Sequence, residues 1–148
     1  MESERLEDGR FPLYKTGIRN NENCIYAPVT CKFFQEIPHI SENRQGTVKF
    51  SIMKSGTHVF SHSGPFNCRL RAHLGINVPK GDVDIAAASS SHLRVLNEYR
   101  YWKDGEIFIF DDSFDHEVWH FDPQNRTRLI LIIDMWHPYL TESQIASY

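Results

Sequence analysis

The sequence predicts an all-β fold, a sandwich or jelly roll with a short C-terminal helix, on three observations. From Thr47 onward apolar and polar residues alternate with period two, the runs are short, and tight-turn residues separate them. Helical periodicity is nearly absent, which many short antiparallel strands explain best. At 148 residues the chain has room for one core. The reading is therefore one domain, 1–148, with a polar, irregular segment 1–45 ahead of a β-core 46–138.

Breakers at Gly9, Pro12, Gly17, Pro28 and Pro38 make the first segment irregular. Thr47 to Met53 reads as a strand and Thr57 to Ser61 as the next. Cys68 to Val78 has the clearest alternation. Cys68, Leu70, Ala72, Leu74 and Ile76 point one way, whereas Arg69, Arg71 and His73 point the other. Pro79 to Asp82 reads as a turn and the small-residue run Ala86 to Ser91 as a loop. Leu93 to Tyr101 reads as one strand, joined by the hairpin-type turn Lys103 to Gly105 to a strand over Glu106 to Phe110. His116 to Phe121 follows the acidic bend Asp111 to Ser113. Arg128 to Trp136 is a long apolar strand, buried on both faces beyond its first residue. Thr141, with Gln144 three positions on, forms a capping box that opens the C-terminal helix.

Lys plus Arg at 16 against Asp plus Glu at 19 gives a net charge of −3, with no basic stripe to follow a phosphate backbone, which argues against nucleic acid. No stretch reaches the ~20 apolar residues of a membrane helix. The charged start, Met1 to Arg10, does not read as a secretory signal, so the protein stays where it is made or the sequence is part of something longer. Cys24, Cys31 and Cys68 lack a zinc spacing, and composition leaves open whether the first two are thiols or a bridge.

Most of the eight histidines need no metal. His39 and His92 read as surface residues in loops, and His58, His120 and His137 as structural. His62 and His116 stand out. Jelly-roll non-haem iron(II) oxygenases hold the metal with two histidines and a carboxylate, commonly as His-x-Asp with a second His strands later. Here the carboxylate position is Gly64. Arg71 and His73 share one strand face, and Arg128 leads into an apolar strand where an unpaired charge is costly. An arginine fork suits a carboxylate in two parallel hydrogen bonds.

The run His62-x-Gly64-Pro65-x-Asn67-Cys68-Arg69-Leu70-Arg71-x-His73-Leu74-Gly75 resembles the aspartyl/asparaginyl β-hydroxylase family. So do Ser51-Ile52-Met53, Gly56 to Val59, Phe110 to Trp119, Arg128-Leu129-Ile130 and Asp134-x-Trp136-His137-Pro138. The likeness runs from about Arg10 to Gln144. It implies a double-stranded β-helix (jelly roll, cupin-like), with iron(II) on His62 and His116 and 2-oxoglutarate on Ser51, Arg71, His73 and Arg128. The family also has glycine at the carboxylate position. Arg69, on the face of Arg71 and His73, is read as receiving the substrate carboxylate.

The resemblance further implies a Cys24–Cys31 disulfide and an oxidising compartment, the endoplasmic reticulum lumen. It implies oxidative decarboxylation of 2-oxoglutarate with O2, and hydroxylation of the β-carbon of Asp or Asn in epidermal-growth-factor-like domains. Cys68 is read as a buried thiol. The stretch Asp82 to Ser89 reads as an insertion relative to the family. The same chemistry on a lipid, and a truncated non-catalytic isoform that binds partners, are the alternatives.

Overall fold

A computed structural model describes residues 9–80 and 91–148. Among the described residues ten strands form two sheets. The larger contains β1 (Arg10–Lys15), β2 (Ile18–Arg19), β3 (Thr47–Met53), β5 (Arg69–Asn77), β8 (Ile107–Phe110) and β10 (Arg128–Trp136), ordered β2-β1-β3-β10-β5-β8. The smaller contains β4 (Thr57–His62), β6 (His92–Val95), β7 (Glu98–Tyr101) and β9 (His116–His120), ordered β4-β9-β6-β7. From β3 to β10 the chain passes repeatedly between the sheets, and all named strand pairings are antiparallel. This is the jelly-roll, cupin-like double-stranded β-helix, and a short helix closes it. That helix, α4 (Glu142–Ala146), carries the full Thr141–Gln144 capping box.

Segment 9–45 is not irregular. It holds β1, β2 and three short helices, α1 (Asn21–Cys24), α2 (Pro28–Gln35) and α3 (Pro38–Ser41). Pro28 and Pro38, which read as breakers, stand in the first turns of α2 and α3, where a missing N–H costs nothing. Gly17, at φ +76°, turns β1 into β2. Cys24 and Cys31 are joined in a disulfide that ties α1 to α2, and Cys68 is a buried free thiol.

The layers follow from the side-chain alternation. Leu131 and Ile133 of β10 join Ala72, Val48 and Leu13 in a core under the helices, with Cys24, Cys31 and Phe34 above. Ile130 of β10 turns the other way and packs with Leu93, Val118, Val78 and Trp102 between the sheets, with Ile132 alongside. At ~25 cal/mol per Å2, burying each aliphatic side chain stabilises the fold by roughly 1.5–3 kcal/mol before entropy is set against it.

Three strand readings change. The run Leu93 to Tyr101 is two strands, with Leu96 in a left-handed turn at φ 51°. The turn at Lys103 to Gly105 carries the chain from β7 to β8 in the opposite sheet, not into a hairpin partner. His92 is a buried member of β6, stacked on Trp119 at 4.7 Å, because the strand begins one residue before its apolar run. The expected insertion at 82–89 lies outside the described residues, as does most of the loop before Ser91.

Candidate active site

Register converges the chemistry. Within the large sheet Ile130 pairs with Ser51 and Gly75, Ile132 with Lys49 and His73, and Asp134 with Arg71. These residues face the interior between the sheets. In the small sheet His62 pairs directly with His116. A cavity of about 680 Å3 lies between, and its lining includes Lys49, Ser51, His62, Arg71, His73, His116 and Arg128.

The imidazoles of His62 and His116 have centroids 4.2 Å apart. Each places Nδ1 against the carbonyl two residues earlier, His62 on Phe60 at 2.8 Å and His116 on Phe114 at 2.9 Å. A carbonyl only accepts, so the proton belongs on Nδ1 and the Nε2 lone pair is left for a metal. Burial and then the His62 charge hold His116 below the usual imidazole range, against the pull of the Phe114 carbonyl, so it favours the neutral form that ligates. Among the described residues no third His, Cys, Asp or Glu completes a cluster with them. At Gly64 a Cβ would come within 2.6 Å of Asp112 Oδ2, so the backbone approach admits only glycine.

Beside the pair lies a buried ionic network. Asp134, 0% exposed, accepts from Arg71 Nε at 2.7 Å and Nη2 at 3.0 Å, and from the Thr47 amide at 3.0 Å and hydroxyl at 3.2 Å. Burial alone would raise the Asp134 pKa, but the Arg71 hydrogen bonds and the charges of Arg71 and Arg69 hold it below the usual carboxylate range. Asp112, also 0% exposed, takes Arg69 at 2.8 Å and 3.3 Å and Arg71 at 3.1 Å. Arg69 also donates to the Gln45 carbonyl. Its guanidinium is thus held by its own chain, and the structure gives it the company of a brace rather than of an open carboxylate receptor.

Two cations are differently placed. Arg128 is 2% exposed, and its Nε and Nη1 have no hydrogen-bond partner; its guanidinium lies over the Trp102 ring, 4.1 Å from the centroid. Burial brings its pKa down to about 9. Lys49 is brought down to about 8 by burial and the Arg71 charge, partly offset by Asp134. His73, 5% exposed, accepts from Trp102 Nε1 at 3.2 Å through Nδ1, and its buried Nε2 is unpartnered.

A family model described as aspartyl/asparaginyl beta-hydroxylase matches residues 2–138. The chain belongs to this family. It is 43% identical over 141 residues to the human aspartyl/asparaginyl beta-hydroxylase, covering 95% of this chain and 17% of that protein. It is 32% identical to the ornithine lipid ester-linked acyl 2-hydroxylase of Rhizobium tropici, covering 93% of this chain and 44% of that one. The chain therefore spans less than half of these relatives' lengths. Among solved structures, a cupin protein from Bacteroides fragilis aligns with a TM-score of 0.47 at 11% identity, covering 65% of this chain and 70% of that one. Both of these relatives are named as hydroxylases.

The residues fit the groups the family implies. Two imidazoles tied to backbone carbonyls through Nδ1 are a donor set that divalent iron would accept through Nε2. The orphaned donors of Arg128 and His73 ask for an acceptor, and a buried cation asks for an anion. A dicarboxylate with a keto oxygen supplies both. Lys49, Trp102 and Asp112 were not singled out from the sequence. Asp134 was visible there as an acid inside the otherwise apolar run Leu129 to Trp136, and such a residue demands a cationic neighbour.

Proposed function

We propose that the chain is the oxygenase unit of an iron(II)- and 2-oxoglutarate-dependent dioxygenase that hydroxylates the β-carbon of Asp or Asn side chains in epidermal-growth-factor-like domains. One observation carries the reading. Buried, unpartnered donors on Arg128 and His73 line the same cavity as a pair of imidazoles with free Nε2 lone pairs. His62 and His116 hold the metal. Ser51 and Arg128 receive one carboxylate of 2-oxoglutarate, and His73 donates from Nε2 towards its other end, with Arg71 adding charge from its place between Asp112 and Asp134. Bound iron(II) and 2-oxoglutarate supply the oxidising chemistry with O2, releasing succinate and carbon dioxide.

The protein binds, orients and excludes water. Lys49 replaces Arg69 as the group we assign to a substrate carboxylate, since the carboxylates of Asp112 and Asp134 already hold the Arg69 guanidinium. The disulfide supports an oxidising compartment, the endoplasmic reticulum lumen in this reading. Likeness to a lipid hydroxylase keeps an acyl chain as the second reading.

The test is succinate release with iron(II) and 2-oxoglutarate, with and without an epidermal-growth-factor-like peptide, plus mass spectrometry of that peptide. Peptide-stimulated release with one oxygen added supports the proposal. Release that ignores the peptide points to the lipid reading. His62→Ala and His116→Ala are expected to lose more metal affinity than the ~100-fold that loss of a supporting hydrogen bond costs. A wild-type chain that binds neither iron(II) nor 2-oxoglutarate would end the assignment.

A further inference from the structure

Trp102 lies outside every strand, between β7 and β8, yet it is only 5% exposed. It touches two of the groups assigned to the co-substrate, each through a different part of its ring system. The indole N–H meets His73 Nδ1 at 3.2 Å, and the ring face carries Arg128 at 4.1 Å. We propose that Trp102 is the positioning residue that fixes the donor polarity of the co-substrate cradle, a role that rests on the function proposed above.

Indole nitrogen only donates, so His73 Nδ1 must accept, and the ring proton belongs on Nε2. Burial, with the charges of Arg128, Arg71, His116 and Lys49, keeps His73 neutral, so one tautomer has to be chosen. With Trp102 present, the atom left unpartnered is an N–H. That group welcomes a carboxylate or keto oxygen and cannot ligate a metal while it holds its proton. With the opposite tautomer, Nε2 would offer a lone pair to the cavity. It would repel the anion and compete for iron.

The second contact follows the same logic. A buried arginine is ordinarily neutralised by an acid, but an acid would consume its N–H donors and cancel its charge. An aromatic face attracts the cation without accepting an in-plane hydrogen bond. Arg128 is supported from one face, while Nε and Nη1 stay unpaired for a ligand. Both effects need an indole: phenylalanine retains a ring face but no donor.

The deciding measurement is the tautomer of His73, read from long-range 1H–15N correlations of the imidazole in the wild-type chain with nothing bound. A pyrrole-type Nε2 and pyridine-type Nδ1 are expected, and a proton on Nδ1 overturns the proposal without any variant. In Trp102→Phe the pattern is expected to shift towards the other tautomer. 2-Oxoglutarate, titrated onto the chain loaded with manganese(II), is expected to bind roughly 10- to 100-fold more weakly, the effect of losing one hydrogen bond to a charged acceptor. Trp102→Leu, which removes the ring face too, is expected to bind more weakly still. An unchanged tautomer and affinity in a folded Trp102→Phe protein refute the role. The two readings fail separately: a wild-type chain with Nε2–H on His73 that binds no 2-oxoglutarate sinks the co-substrate assignment and leaves Trp102's control of the tautomer standing.

Discussion

Asp134→Asn tests whether the ionic network holds the site together. Asp134 Oδ2 accepts from Arg71 Nη2 and from both Thr47 donors, while Oδ1 accepts only from Arg71 Nε. An asparagine keeps its oxygen where three donors converge and turns its amide towards Arg71 Nε, a donor facing a donor. It also removes one of two carboxylates from a buried set in which Asp112 alone would then serve two guanidiniums. Breaking a buried ion pair from one side costs about 3–5 kcal/mol. For a chain of this size each kcal/mol moves Tm by about 2–4 °C, so a fall of roughly 6–20 °C is expected in thermal melts followed by circular dichroism.

The same pair gives the pH sign. Asp134 is depressed in the folded chain, so its contribution is complete above the unfolded value of about 3.9 and is lost as pH falls through the lower, folded one. The variant should therefore lose less stability than wild type on acidification. In a double-mutant cycle with Arg71→Met the two losses should be clearly sub-additive. A fall below about 1 kcal/mol, or full additivity, refutes the reasoning.

Arg128→Met removes a buried cation whose Nε and Nη1 have no hydrogen-bond partner; a charged hydrogen bond is worth about 1.5–3 kcal/mol, so 2-oxoglutarate affinity should drop about 10- to 150-fold in calorimetry while urea unfolding shows a more stable protein. Lys49, brought down to about 8, should lose its charge above that pH, so KM for an Asp peptide should climb up to tenfold per pH unit there and KM for an Asn peptide should stay flat. Folding favours neutral Lys49, so its effect on stability runs the other way, easing as pH rises from about 8 towards 10.4. Reducing the Cys24–Cys31 bond, which closes a loop of sequence separation 7, should cost about 2–3 kcal/mol on the chain-entropy estimate, seen as a lower Tm in dithiothreitol.

Much of this was legible in the residues. The bounds of β3 and β10, the faces of β5 and the capped α4 follow from alternation and capping chemistry alone. The N-terminal segment was not, because proline marks both a break and a helix start, and only the following residues' packing decides which. The β6–β7 hairpin turns at Leu96 and Asn97; Asn97 is a turn-favouring type, but Leu96, at φ 51°, is not, and it continues the apolar run. Arg69, Arg71 and His73 could be placed on one face, but their partners depend on the pairing of β5 with β10 and on the bend before β9. Composition could not choose between thiols and a bridge at Cys24 and Cys31; the family resemblance could.

The imidazole pair belongs entirely to the four-stranded sheet, and Lys49, Ser51, Arg71, His73 and Arg128 entirely to the six-stranded one. The spacing between the imidazoles and the cations is therefore set by neither group but by the aliphatic shims Leu93, Val118 and Ile130 that keep the two walls apart. Trimming or padding one of those shims by a methyl group would change the reach between the two walls while leaving every imidazole and guanidinium in the sequence unchanged.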